Sequence, residues 1–130
     1  MSMNITKYNW KEKVILIAED METSNYFFEA ALRKTGIHIF WAANGMEALK
    51  IAKNHDNIDA ILMDINMPEM NGLDATKAIR KFNKNVPIII QTAYVLSGEE
   101  EQSREVEANY FLSKPIKLEI LLETLNKFIK

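Results

Sequence analysis

Ala60-Ile-Leu-Met-Asp-Ile-Asn-Met-Pro-Glu-Met-Asn-Gly72 is the stretch on which the fold turns. Four apolar residues run directly into Asp64, and a short segment with Met67, Pro68 and Gly72 precedes an amphipathic helical pattern. An uninterrupted apolar run of this length reads as a strand buried on both faces, as in a parallel sheet. Asp64 then stands where a buried strand emerges into a loop. In open parallel sheets the carboxyl ends of the strands are where ligands bind. A carboxylate there serves as an acceptor, as a metal ligand, or merely as a cap for its own loop.

Working outward, the same unit recurs. Val14–Ala18 is a buried run that ends at Glu19-Asp20, followed by a helical pattern with Tyr26, Phe27, Ala30, Ala31 and Leu32 near one face. Gly36 suits the position just beyond that helix, where positive φ is usual. Ile37–Ala42 is the second strand. Asn44 and Glu47 form a capping box for a helix burying Ala48, Leu49, Ile51 and Ala52. The third strand is expected over Ile58–Met63, and Asn71 caps the helix carrying Leu73, Ile79 and Phe82.

Val86–Thr92 is the fourth strand, with Pro87 tolerable near its start. Ser97 and Glu100 form another capping box, and Glu99 to Glu101 place acids at that helix's positive end. Asn109–Leu112 is a short fifth strand before Ser113-Lys114-Pro115. The last helix aligns Leu118, Leu121, Leu122, Leu125, Phe128 and Ile129. Five strand–helix repeats imply an α/β fold with a parallel sheet and helices on both faces. Residues 1–12, mostly polar around Tyr8 and Trp10, are expected to be a tail or linker, with one domain over 13–130.

Composition narrows the function. The chain has 130 residues, 48% of them hydrophobic and 26% charged, and its net charge is −2. That is the size and composition of one globular domain, with no basic footprint for nucleic acid or anionic lipid. There is no cysteine and there are only two histidines, which excludes disulfides and thiolate chemistry and leaves little for zinc. No apolar stretch is long enough to span a bilayer and no signal peptide is visible, so a cytoplasmic setting is expected.

At the carboxyl ends of the strands stand Glu19, Asp20, Asp64, Thr92 and Lys114. Three carboxylates at one rim repel one another, and one lysine cannot neutralise them. A hard divalent cation with oxygen ligands can. A metal, an ammonium and a hydroxyl around one aspartate are what phosphoryl transfer to a carboxylate requires.

These residues, in this order, resemble a response-regulator receiver domain of two-component signalling. The resemblance covers Lys13 to Lys130 and rests on Glu19-Asp20, Asp64 with Met67-Pro68 and Gly72, Thr92-Ala93, and Lys114-Pro115. It implies a doubly wound, flavodoxin-like sheet of five strands in the order 2-1-3-4-5. It implies that Asp64 is the phosphoacceptor. Glu19, Asp20, Asp64 and the backbone carbonyl of Asn66 then hold Mg²⁺ (or Mn²⁺), while Thr92 and Lys114 bind the phosphoryl group. Thr92 and Phe111 are the implied switch residues, Asn66 and Tyr94 border the approach to the site, and the Lys114–Pro115 bond is cis.

The implied partner is a histidine kinase or a histidine phosphotransfer domain. The implied output face is built from the fourth helix, the fifth strand and the last helix, with self-association through that face open to it. No direct contact with nucleic acid or membrane is implied. The polar lead-in and the Thr-Ala-Tyr run also resemble receivers at the ends of hybrid sensor histidine kinases, themselves membrane-bound. One position departs from the family pattern: Glu107 stands where a glycine is usual. Without that glycine a differently finished or frayed helix end is expected.

Other functions fit less well. An aspartate-nucleophile phosphatase of the haloacid-dehalogenase type wants a second Asp two residues after the nucleophile, and that position is Asn66. A flavin or nucleotide carrier wants phosphate donors after the first strand, where this chain has Glu19-Asp20-Met21-Glu22. A degenerate receiver acting only as a binding module would not need all five site residues. The role expected is a regulatory phosphoacceptor, not an enzyme acting on a separate substrate.

Overall fold

The structure is a computed structural model, and it describes residues 8–93 and 107–129. Five parallel strands form one sheet: β1 (Val14–Ala18), β2 (His38–Ala42), β3 (Ala60–Asp64), β4 (Ile88–Thr92) and β5 (Tyr110–Ser113). Their order is β2-β1-β3-β4-β5, the doubly wound order expected from the sequence. Every residue of β1, β3 and β4 is buried, whereas β2 and β5 expose residues. That contrast follows from position, because the two edge strands have a neighbour on one side only.

Among the described residues four helices join or follow the strands: α1 (Glu22–Leu32), α2 (Gly45–Asn54), α3 (Gly72–Arg80) and the last helix, α4 (Leu118–Phe128). The helix expected after Ser97 lies outside the described residues, as does Tyr94. Alternation along the strands divides the core into two layers. Leu16, Ile61, Met63, Ile88 and Ile90 face α2 and α3, where Ala48, Ala52, Ala75 and Ile79 meet them. Ile15, Ile17, Leu62 and Ile89 face the other way, onto Phe28 and Leu32 of α1 and Leu121 and Leu125 of α4.

The caps behave as side-chain chemistry dictates. The Asn44 side chain accepts from the Glu47 N–H at 2.9 Å, and Asn71 accepts from the Asp74 N–H at 2.8 Å. The Glu47 carboxylate closes its box one residue early, accepting from the Ala43 N–H at 2.8 Å. Gly36, at φ 80°, ends a single 3₁₀ turn (Arg33–Thr35) that follows α1.

Three expectations change. Trp10 is not in a free tail: it is 5% exposed, packs into the α1/α4 layer, stacks on Tyr8, and donates its backbone N–H to the Thr35 carbonyl at 2.7 Å. An indole is large enough to seal the amino end of that layer. On α1 the buried anchor is Phe28, whereas Tyr26 is 67% exposed and Ala30 is also exposed. Phe82 and Leu118 are likewise exposed, because each lies at or beyond the end of its helix.

The third concerns Glu107. It keeps the left-handed conformation, at φ 68°, without being glycine. Such a backbone costs a non-glycine residue about 1 kcal/mol or more. Arg80 holds it there: the Nε–H donates to the Glu107 carbonyl at 2.9 Å. The same guanidinium donates to the carbonyls of Val86 at 2.8 Å and Asn83 at 3.1 Å, and to Asn109 Oδ1 at 2.7 Å. Asn109 Oδ1 also accepts from the Ile88 N–H at 2.8 Å. One buried arginine thus ties the end of α3 to the starts of β4 and β5. Burial pulls its pKa below the usual value, the expected sign for a cation removed from water.

Candidate functional site

Strand register assembles the rim. Ala18 pairs with Met63, so Glu19 follows β1 beside Asp64, the last residue of β3. Asp64 pairs with Gln91, so Thr92 lies one step beyond it, and Thr92 pairs with Ser113, which sets Lys114 beyond β5. The Lys114 N–H donates to the Thr92 carbonyl at 2.8 Å, and the Lys114–Pro115 bond is cis.

The Lys114 ammonium then reaches back across the rim. Its Nζ lies 3.0 Å from Glu19 Oε1 and 3.2 Å from Asp64 Oδ2. The other oxygens are held by backbone. Glu19 Oε2 accepts from the Met21 N–H at 3.1 Å, and Asp64 Oδ1 accepts a long bond from the Asn66 N–H at 3.4 Å. Glu19 and Asp64 are almost wholly buried, and Asp20 is exposed. Thr92 is buried and Asn66 is exposed.

Electrostatics favour an added cation. Burial, and secondly the Glu19 charge, push the Asp64 carboxyl up to about 6 against the opposing pull of Lys114. Burial alone would lower Lys114, but the Glu19 and Asp64 carboxylates outweigh it and hold the ammonium above its ordinary value. Glu19, Asp20 and Asp64 each offer an oxygen, and these oxygens lie within 4.8 Å of one another. A set of hard oxygen donors with no thiolate or imidazole fits a Mg²⁺-class ion.

Two glycines make the loop geometry possible. A Cβ on Gly72 would collide with the backbone carbonyl of Asp64, and the Gly72 N–H donates to the Ile65 carbonyl at 2.9 Å. A Cβ on Gly45 would strike the Met70 carbonyl, which accepts the Gly45 N–H at 2.9 Å. The loop after β3 is therefore seated on the start of α2 by a contact that only glycine permits. Glu69 in this loop adopts φ 70°. Gly72 was visible in the sequence, but Gly45 gave no signal there beyond following a cap residue.

Phe111 on β5 is half-buried and packs beside the α2/α3 layer. The sequence gave no hint of Gln91: it is fully buried in β4, and neither its Nε2 nor its Oε1 finds a partner among the described residues.

A doubly wound sheet with an acidic pocket at its carboxyl rim and a lysine bridging two of the acids places this chain among open α/β proteins whose candidate site lies at the strand ends. Comparison with known proteins narrows it. Residues 15–126 match the response regulator receiver domain model, and the chain belongs to that family of two-component signalling. It is 34% identical over 119 residues to the polar-differentiation response regulator DivK of Brucella anthropi, covering 90% of this chain and 96% of that one.

Among solved structures it resembles the receiver domain of the sensor histidine kinase PA1611 from Pseudomonas aeruginosa, solved with magnesium coordinated in the active site cleft. The TM-score is 0.84 at 35% identity, covering 90% of this chain and 97% of that one. It also resembles the receiver domain of the Saccharomyces cerevisiae response regulator Ssk1, solved with the histidine phosphotransfer protein Ypd1. There the TM-score is 0.86 at 26% identity, covering 95% and 92% of the two chains. The family is a regulatory signalling one. Among the described residues no helix is long and apolar enough to cross a membrane.

Proposed function

We propose that this chain is a phosphoacceptor switch in which Asp64 takes a phosphoryl group from the phosphohistidine of a histidine kinase or a histidine phosphotransfer domain. The observation that carries this is a buried Asp64 whose Oδ2 sits 3.2 Å from Lys114 Nζ, with Glu19 and Asp20 close by. An Asp64 carboxylate oxygen attacks phosphorus and the P–N bond breaks. The imidazole nitrogen keeps the electron pair and takes a proton from solvent, leaving an acyl phosphate on Asp64.

Lys114, already anchored on both carboxylates, swings its charge onto the equatorial phosphoryl oxygens as they arrive. Thr92 offers its hydroxyl to the same group. Glu19, Asp20, Asp64 and the Asn66 carbonyl would hold Mg²⁺ or Mn²⁺, which supplies neutralisation of the charge that develops on the phosphoryl oxygens. Thr92 and Phe111 transmit the change to an output face that includes β5 and α4. That face is where we place signal output and self-association.

Asn66, uncharged and a poor base, orients a hydrolytic water without activating it. The only chemistry is on the domain's own aspartate, in a cytoplasmic setting and without contact to nucleic acid or membrane. A stand-alone regulator and a receiver within a hybrid kinase are both served by this mechanism.

Acetyl phosphate with Mg²⁺ is expected to add one phosphoryl group, read by intact mass. Asp64→Asn and EDTA should each abolish the addition. Undiminished addition in Asp64→Asn would remove Asp64 from the role.

A further inference from the structure

A cavity of about 470 Å³ opens between α1 and the turn after β5, beside the rim but distinct from the acid cluster. Its walls are Phe27 and Phe28 on one side and Pro115 and Ile116 on the other, with Lys114 at its edge and Gln91 on the inner wall. The size is that of a small-molecule site, and the lining is mostly apolar with a few polar groups, as in such sites.

Gln91 is the anomaly. A carboxamide has two donor hydrogens and a carbonyl acceptor, and burying them unpaired is costly. Native interiors rarely tolerate this without a reason. Here the residue is 0% exposed, its amide nitrogen and oxygen both lack partners among the described residues, and the residue is one of those lining the cavity, with its amide covered by neighbouring side chains. Gln91 faces the α1/α4 layer, because Ile89 two residues earlier does so and strand side chains alternate. A purely structural position in this layer would take the kind of apolar residue found at Ile15, Ile17, Leu62 and Ile89.

We propose that this cavity is a ligand site for a flat, mostly apolar ring bearing a cis-amide edge, a lactam N–H beside its C=O. Such an edge pairs with a carboxamide through two antiparallel hydrogen bonds, satisfying both unpaired atoms of Gln91. The ring occupies the space between Phe27 and Ile116, and a small outward shift of the side chains covering the amide brings the two edges together. Because Lys114 is also the lysine held by Glu19 and Asp64, an occupied cavity touches the rim without using the acid cluster.

The probe is 2-quinolone, with N-methyl-2-quinolone as its donorless control, followed by ¹H–¹⁵N spectra that include side-chain amides. The expected result is a shift of the Gln91 NH₂ pair with 2-quinolone, and binding weaker by roughly tenfold or more for the N-methyl compound. In Gln91→Met, which keeps the volume and removes the polar atoms, the two compounds should bind alike. Equal binding of both compounds by the unaltered chain overturns the proposal without recourse to any variant. So does a Gln91 resonance unmoved at millimolar 2-quinolone, which would mean that the cavity holds solvent only. Neither readout depends on phosphoryl transfer, so the proposal stands or falls separately from the Asp64 assignment.

Discussion

Replacing Arg80 with methionine removes the guanidinium but keeps most of the side chain's stem. The side chain is 5% exposed and makes four hydrogen bonds, to Glu107 O, Asn83 O, Val86 O and Asn109 Oδ1. Asn109 Oδ1 keeps a second donor in the Ile88 N–H, so three carbonyls lose the arginine outright. Hydrogen bonds from a charged donor are each worth about 1.5–3 kcal/mol net. Glu107 is exposed and Asn83 half-buried, so water can replace part of what they lose.

Deleting the cation also recovers its desolvation, the same burial that lowers its pKa. The balance is a loss of about 3–5 kcal/mol, a large share of an ordinary domain's total. Glu107 would also lose the bond that holds its left-handed backbone. Urea unfolding of parent and Arg80→Met, with hydrogen exchange at the Ile88 amide, measures both effects. Arg80→Lys should recover less than half, because one ammonium cannot span four acceptors. A loss under about 1 kcal/mol in Arg80→Met, with Ile88 protection unchanged, would refute the clamp.

Asp64 gives a pH signature. A carboxyl raised from 3.8 to about 6 keeps its proton in the folded chain after the unfolded chain has lost it. Its contribution to stability therefore falls as pH rises between those two values and is level outside them. In EDTA, Asp64→Asn should match the parent near the lower value and exceed it by about 1–3 kcal/mol at neutral pH; a difference independent of pH in urea melts would contradict this. Gly72→Ala should slow phosphoryl uptake from acetyl phosphate roughly tenfold to a hundredfold by displacing the Asp64 backbone, while Gly36→Ala, strained by its positive φ but remote from the rim, should cost only stability. Trp10→Ala should lose about 3 kcal/mol in the same urea assay, and an unchanged midpoint would return residues 8–12 to the status of a tail.

Much of this architecture is written in local pattern. Val14–Ala18, Ala60–Met63 and Ile88–Ile90 are apolar without interruption, and only a strand covered on both faces accounts for that. The residues that end them fall at one rim because parallel strands all point the same way, so Glu19, Asp64, Thr92 and Lys114 could be grouped before any coordinates. What escaped notice was set by distant partners. Tyr26, Phe27 and Phe28 are three consecutive aromatics, and periodicity cannot say which one meets the sheet. Trp10 is isolated among polar residues, and its burial depends on the turn at Thr35. Glu107 reads as a lost glycine until Arg80, far off in sequence, is seen holding its carbonyl. Gln91 sits in an apolar strand, where its amide is only one more polar residue near a strand end.

The two tryptophans stand at opposite ends of the sheet. Trp10 is sealed against the amino ends of the strands beside Thr35, and Trp41, 40% exposed, lies near the carboxyl end of edge strand β2. The chain thus carries two built-in fluorophores with different surroundings. A water-borne quencher such as iodide should extinguish Trp41 while sparing Trp10. The emission that survives quenching then reports whether the domain is folded, and the emission that is lost reports on the neighbourhood of the rim.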